Sequence, residues 1–338
     1  MRHKKLLLTT VLIGFFALAA VYLKREQPAS AAAKSALVDP GILSGLQSLV
    51  LKANGKVTTI EKSSSGSWVV KEKFGLNVDV ENRLKPLLLS LQKAENLGLL
   101  TANAKRIEKL NLGDSSLLLT AADGKSFAAD FGKATDDGVG QAARLPGDPQ
   151  AVRTSFNERF ESDAFAWVDP VLLTTKPEEI KTISLIYTDG KMDFSRPAKG
   201  QPFGGPALED MTSTLALLRI SDAVAKGDQD ATAAFAKSWQ VKFTLFDGTS
   251  ATVTFAKVAG TTPNDQGKLY LRVKHSDPKH PVNLTSQKAE FLAPTWLAEQ
   301  IPSTLADLKK SLAPPTLPSD APPANIPGLP PGLIPAGK

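Results

Sequence analysis

Leu49-Val50-Leu51-Lys52-Ala53-Asn54-Gly55-Lys56 and Ser184-Leu185-Ile186-Tyr187-Thr188-Asp189-Gly190-Lys191 are the two stretches on which the fold turns. Each runs through apolar, strand-favouring residues into an Asx-Gly pair and leaves through a lysine. An Asx-Gly pair between two such runs is the favoured signal for a two-residue hairpin, because a type I′ turn needs positive φ at both central positions. The pattern predicts strands over 46–53 and 57–62, and an equivalent hairpin around Asp189-Gly190. The two stretches lie 135 residues apart, the first sign that one unit occurs twice.

Four more correspondences follow in the same order. Trp68 falls on Phe203 at the same offset of 135. Leu84, Leu88 and Leu91 fall on Met211, Leu215 and Leu218 at 127, and Asp123-Gly124 falls on Asp247-Gly248 at 124. Asp148-Pro149 and Trp167 fall on Asp277-Pro278 and Trp296 at 129. Offsets that shift between blocks while the order persists are what loop insertions in a duplicated unit produce.

Each unit has the same predicted order. A third strand covers 67–71, and then Val80, Leu84, Leu87, Leu88 and Leu91 recur at helical spacing. Pro86 inside that pattern predicts a helix that is kinked or starts later than the pattern does. In the second unit Pro206 precedes Leu208 and Met211, where a first-turn proline is tolerated. A second hairpin is expected from 116–121 and 126–131, and from 241–246 and 251–255. The second unit adds an alternating strand over 268–273. Each unit closes with a short helix ending near Trp167 or Trp296. Strands grouped around one or two helices, without βαβ alternation, give an α+β class with antiparallel sheets. The four tryptophans, Trp68, Trp167, Trp239 and Trp296, are read as core anchors, with ligand stacking as the other role.

The division expected is an N-terminal anchor over 1–25, a tether over 26–40, α+β unit one over 41–175, α+β unit two over 176–312 and a tail over 313–338. Leu6 to Leu23 is 18 residues without a charge, which as a helix spans about 27 Å, close to the hydrocarbon thickness of a bilayer. Lys4 and Lys5 flank one end, and Lys24 and Arg25, diluted by Glu26, the other. The positive-inside rule then puts the N-terminus inside and the body out. The expected location is the cytoplasmic membrane, single-pass, with the body extracytoplasmic. Ala29-Ser30-Ala31 and Ala31-Ala32-Ala33 fit a signal-cleavage pattern, so a secreted or periplasmic body after cleavage is the alternative. The tail holds nine prolines in 26 residues and reads as extended, disordered and proline-rich.

The chain has 338 residues, no cysteine and only three histidines. Disulfide scaffolds, cysteine nucleophiles, thiolate metal sites and His-rich metal centres are excluded. The formal charge is +6, yet residues 1–25 carry five basic side chains and no acid. The rest of the chain is nearly balanced, so bulk charge does not support nucleic acid as a partner.

Chemistry is sparse. Gly138-Val139-Gly140 lacks the rest of a phosphate-binding loop, and no G-x-S-x-G elbow is present. Ser90-Leu91-Gln92-Lys93 has the S-x-x-K spacing without the companion motifs of penicillin-recognising enzymes, and reads as a solvated helix face. His275, Asp277 and His280 offer two imidazoles and a carboxylate without a fourth zinc ligand, and read as a polar turn. Asp136-Asp137 and the Asp163/Asp169 pair read as loop carboxylates. Asn283-Leu284-Thr285 matches a glycosylation acceptor, which matters in a eukaryotic secretory setting. No catalytic, cofactor-binding or metal-binding residue is assigned, and no cofactor is expected.

The N-terminal apolar segment, the hairpin, Trp-strand and Leu-rich helix order, and its recurrence together resemble the domain-of-unknown-function family 4340. The residues that carry this are Asn54-Gly55, Trp68 and Leu84-Leu88-Leu91, with counterparts in unit two, and the likeness covers roughly residues 40–300. The resemblance implies a bacterial envelope protein, often encoded beside ABC-type transporters of the gliding-motility kind, with no catalytic residues to carry over. The proline-rich tail departs from it. The function expected is a membrane-anchored extracytoplasmic accessory or scaffold protein of an envelope complex, with an envelope protein or an ABC-type transporter as partner and the membrane engaged through residues 6–23, and not an enzyme. The alternatives are a periplasmic hydrolase with a site between the units, marked by a pocket of clustered carboxylates or by Ser90 near Lys93 and another base, and a cell-wall or polysaccharide binder, marked by exposed Trp or Tyr in one groove.

Overall fold

The computed structural model describes residues 34–135, 138–262 and 265–313. The apolar segment 6–23, most of the tether, Asp136-Asp137 and the proline-rich tail from 314 onward lie outside the described residues. Among the described residues, no helix is long and apolar enough to cross a membrane.

The first half runs β1 (Ser35–Ala36), α1 (Pro40–Ser44), β2 (Leu46–Ala53), β3 (Lys56–Lys62), β4 (Trp68–Val70), β5 (Leu76–Asn77), α2 (Lys85–Lys93), β6 (Glu95–Thr101), α3 (Ala104–Glu108), β7 (Ser115–Ala121), β8 (Ser126–Ala134), β9 (Gln141–Arg144) and β10 (Ala151–Thr154). The second runs β11 (Val171–Thr174), β12 (Ile180–Tyr187), β13 (Gly190–Ser195), α4 (Pro206–Ala216), β14 (Leu217–Arg219), β15 (Asp222–Ala225), α5 (Gln229–Phe235), β16 (Trp239–Leu245), β17 (Ser250–Val258), β18 (Lys268–His275), α6 (Pro281–Lys288), β19 (Ala289–Ala293), α7 (Leu297–Gln300) and α8 (Leu305–Leu312).

The strands pair antiparallel in two large sheets and one two-stranded piece, β11 with β14. The first sheet has the order β1-β6-β10-β9-β8-β7-β2-β3-β4-β5, the second β13-β12-β16-β17-β18-β19-β15. Traced from the first hairpin, β3-β2-β7-β8-β9-β10-β6 and β13-β12-β16-β17-β18-β19-β15 are the same path. β18 therefore has a counterpart in β9 and is no addition to the second unit. What the first sheet adds is β1 at one edge and β4 and β5 at the other. Residues 35–40, expected as tether, belong to the folded body: β1 pairs with β6, and Leu37 and Val38 are buried.

Alternation sets which faces are buried. Leu49, Leu51 and Ala53 of β2 and Ile183, Leu185 and Tyr187 of β12 point inward, with Leu117 and Leu119 of β7 and Val241 and Phe243 of β16 beside them. Helices cover these faces through Leu87 and Leu91 of α2, and Met211 and Leu215 of α4. Val80–Leu84 forms one π-helical turn before α2, which puts Pro86 in the first α-helical turn, where its missing N–H costs little. Most buried side chains of both halves form one continuous core, and Ala231, Ala234, Ala256 and Tyr270 form a second, smaller cluster under α5. The halves are also joined by the Val78–Val168 bridge and by Lys73 Nζ on Asp222 Oδ1 at 2.5 Å.

The turns correct part of the hairpin expectation. Asn54 and Gly55, at φ 50° and 76°, form the two-residue turn with positive φ that was predicted. In the second unit Tyr187 pairs with Gly190, so the turn is Thr188-Asp189, neither residue has positive φ, and Gly190 opens β13. Asp123-Gly124 and Asp247-Gly248 sit in three-residue loops instead. Gly124 and Gly248 take left-handed φ of 82° and 88°, and each aspartate accepts the N–H two residues on, from Lys125 and Thr249. Three-residue hairpins use this geometry, in which only the last position needs positive φ.

The tryptophans divide. Trp167 and Trp239 are buried, Trp68 is half-buried, and Trp296 is 51 % exposed. Trp296 precedes α7 and does not end a helix, which overturns its reading as a core anchor. Trp239 stacks on Phe255 with ring centroids 5.5 Å apart. Trp239→Ala is expected to cost about 3–5 kcal/mol in chemical unfolding. Trp296→Ala should cost less than about 1 kcal/mol. Equal losses would contradict this division of roles.

Candidate functional site

Two concave surfaces lie one on each half, and a further one of about 530 Å³ lies beside α5, lined by Asp230, Ala234, Lys237, Lys257, Lys268 and Tyr270. The first is a groove of about 490 Å³ walled by Pro40, Leu43 and Ser44 of α1, Trp68 of β4, and Val80, Leu84, Leu88, Leu89 and Gln92 from the π turn and α2. It exists because α2 carries more leucine than one face can bury. Leu87 and Leu91 enter the core, while Leu88 is half-buried and Leu89 is 44 % exposed. Trp68 contributes a ring face, with Lys62 Nζ 5.2 Å from the ring centre. Lys85 and Glu81 form an ion pair at 2.8 Å on the rim.

The second is a polar cavity of about 680 Å³ between α6 and the outer face of β16–β18. Strand register lines up Gln240, Thr254 and Arg272 in one row and places Thr252 beside Lys274 in the next. Under the cavity wall lies Glu290, a fully buried carboxylate on β19. It accepts from Arg272 Nε and Nη2 at 2.7 Å each and lies 3.1 Å from Lys226 Nζ. The Arg272 guanidinium lies 3.8 Å from the centre of the Phe235 ring. The fork is thus held by two N–H···O bonds and a stacking surface, a rigid presentation of positive charge. Burial alone pushes the Glu290 carboxyl up. The hydrogen bonds from Arg272 and Lys226 outweigh it and hold the group below the ordinary glutamate range.

The sequence candidates fall into local structural work. His275 and His280 do come together, stacked with centroids 4.1 Å apart. Each Nδ1 accepts a backbone N–H, from Asp277 and Val282 respectively, and the second of these caps α6. Burial and His275 push His280 below the usual imidazole range. Asp277 turns its carboxylate to the Lys279 N–H at 2.9 Å. Among the described residues no group of three or more His, Asp or Glu side chains gathers as a metal site would require. Asp163 and Asp169 accept the N–H groups of Phe165 and Val171, each in its own turn. Asn283 donates its amide to the carbonyls of His275 and Asp277 and accepts from the His275 N–H, so the glycosylation-like asparagine is the clasp between β18 and α6. Ser90 and Lys93 lie on the outward part of α2 with no bond between them. Gly140 serves packing, because a Cβ there would sit 1.8 Å from the Thr154 carbonyl oxygen.

Arg272 and Glu290 were missed by sequence reasoning. They lie eighteen residues apart, and what joins them is the pairing of β18 with β19. The one local hint is that Glu290 begins an otherwise apolar run, Phe291-Leu292-Ala293.

Antiparallel sheets with helices packed against their faces, and open concavities on the surface, define an α+β protein. The family described as domain of unknown function (DUF4340) matches residues 68–238, just over half of the chain. The chain belongs to that family. The match begins at β4 and ends just before β16, so it crosses from one unit into the other and is narrower than the 40–300 expected from the resemblance. No curated protein and no solved structure matches the chain.

Glu290→Gln tests the buried cluster. It removes the counter-charge of Arg272 and Lys226 and is expected to cost about 3–5 kcal/mol. The wild-type contribution has a defined pH sign. A carboxyl held below its unfolded value stabilises above the unfolded pKa, and that stability is lost as pH falls through the folded value. Unfolding followed from pH 7 downward should therefore show wild type losing stability below the ordinary glutamate range, while Glu290→Gln falls less steeply there. Parallel acid limbs would show that Glu290 is not the group responsible.

Proposed function

We propose that this chain is a membrane-anchored extracytoplasmic accessory or scaffold protein of an envelope complex, non-catalytic, which holds a transporter component through the Trp68 groove. The observation that carries this reading is the place of the groove. Its first wall, α1, starts at Pro40, directly after the point where the chain enters the folded body at β1. From Leu23 at the end of the apolar stretch to Pro40, the chain spans at most about 60 Å even when fully extended. An anchor at 6–23 therefore holds the start of the groove within about 60 Å of the membrane surface. Leu88, Leu89, Val80 and Trp68 present an apolar concavity of the kind that takes the apolar face of a helix. The orientation with the body outside follows the charge bias around residues 6–23.

A second reading, binding of an acidic cell-wall polymer or polysaccharide, is favoured by the other cavity. Lys226, Arg272 and Lys274 there surround hydroxyl and amide groups of Thr252, Thr254 and Gln240, a donor-rich wall suited to an oxygen-rich anion.

Two experiments test the first reading. A cysteine at Ala31 should react with an impermeant reagent in cells whose outer membrane, where present, has been permeabilised, and labelling only after lysis would reverse the orientation. A photo-crosslinking residue at Leu89 should capture a membrane protein in intact cells, and the same residue at exposed Leu118 on the outer sheet face should not. Equal capture from both positions, or capture unaffected by Trp68→Ala, would remove the groove as the docking site.

A further inference from the structure

β3 and β13 hold the same place in the two sheets, yet their outer edges differ. Tyr187 pairs with Gly190, and the Arg196 N–H donates to the Lys181 carbonyl at 2.8 Å. The even-numbered residues of β13 therefore bond inward to β12, and Lys191, Asp193 and Ser195 direct their N–H and C=O groups outward. In β3 the same phase turns Val57, Thr59 and Glu61 outward. Glu61 pairs with Val69 of β4, and the Thr59 N–H donates to the Glu72 carboxylate at 2.7 Å. β13 has no such cover: it pairs with β12 alone, and among the described residues no main-chain bond reaches the outward groups of Lys191, Asp193 or Ser195. An uncovered edge of this length is a template for strand addition.

The side chains select the occupant. Against an identical antiparallel strand, a two-fold axis at Met192 sets Lys191 opposite Asp193 of the second copy, twice. An axis at Asp193 sets two carboxylates opposite each other, and an axis at Lys191 sets two ammonium groups opposite each other. Opposite charges stabilise a cross-strand pair and like charges destabilise it. Within one chain Lys191 Nζ lies 3.0 Å from Asp193 Oδ1, so the register about Met192 exchanges two such pairs for two across the axis, while the registers on either side set like charges opposite each other. In the favoured register the two Lys191–Asp193 pairs are the hydrogen-bonded ones, and half-buried Met192 and Phe194 gain cover on the other face.

We infer that β13 is a dimerisation edge: two copies of this chain pair through it about Met192, joining two seven-stranded sheets into one across a two-fold axis. The inference is independent of the groove and the cavity above, and its partner is the chain itself.

The chain has no cysteine, so Met192→Cys introduces its sole thiol. In the favoured register Met192 faces its own copy in a non-hydrogen-bonded pair, where Cα atoms lie about 4.5 Å apart, within disulfide range. Mild oxidation of the full-length Met192→Cys chain should give a covalent dimer on a non-reducing gel. Thr188→Cys, at the hairpin tip, should stay monomeric. Adding Asp193→Lys to Met192→Cys should abolish the cross-link, and adding Lys191→Asp as well should restore it. Mixing a Lys191→Asp chain with an Asp193→Lys chain, both carrying Met192→Cys, should also restore it, as a heterodimer. Cross-linking no better than Thr188→Cys, a thiol captured by a different protein, or cross-linking indifferent to these charge changes would each overturn the inference.

Discussion

The alternation of β2 and β12 is the constraint on which the rest of the molecule depends. Both are interior strands, with a hairpin partner on one side and the second hairpin on the other. Leu49 and Leu51, like Ile183 and Leu185, have almost no exposure. A one-residue slip in either strand would carry these side chains to the solvent face and bring Lys52 or Ser184 inward. Once that register holds, every strand paired to them inherits it. The helices α2 and α4 then have one apolar surface each to cover, and the two covered faces run together as a single core. On the outer face of the second sheet α5 covers a small apolar cluster around Ala256 and Tyr270, and the polar residues beside it line the cavity.

The two halves share one strand path but differ in what is attached to it. The first half adds α1, β4 and β5, which close the edge of β3 and build the Trp68 groove. The second adds α6, which walls the polar cavity, and α7 and α8, which pack against α4, and it leaves the edge of β13 bare. The surfaces proposed for recognition all lie in these differences. This is expected if the common frame supplies stability and the attachments supply specificity.

The Glu290 cluster shows how a polar group is tolerated in such a frame. An isolated carboxylate at full burial would be neutralised or expelled. Two N–H donors from Arg272 and an ammonium from Lys226 make it tolerable, and Phe235 holds the guanidinium plane. The same bonds that satisfy Glu290 fix Arg272 at the wall of the cavity. Satisfying a buried acid and displaying a cation outside are one arrangement.

Short-range signals in the chain determined a great deal by themselves. Period-two runs located β2, β3, β7, β8, β16, β17 and β18 to within three residues at each end, and helical spacing located α2 and α4. Positive φ at Asn54 and Gly55 is a local property of those residues. Turn chemistry was less legible: Asp123-Gly124 and Asp247-Gly248 marked hairpins correctly but not the three-residue loops they make, since an Asx-Gly pair serves either geometry. β9 and β10, Gln141-Ala-Ala-Arg144 and Ala151-Val-Arg-Thr154, lack a strong alternating pattern and are strands because β8 and β6 offer them edges. The exposure of Trp296, the burial of Glu290 against Arg272 and the open edge of β13 were decided only in three dimensions. Periodicity and turn preference act over a few residues. Whether a ring is covered, a carboxylate is paired or an edge is occupied depends on which distant segment arrives beside it.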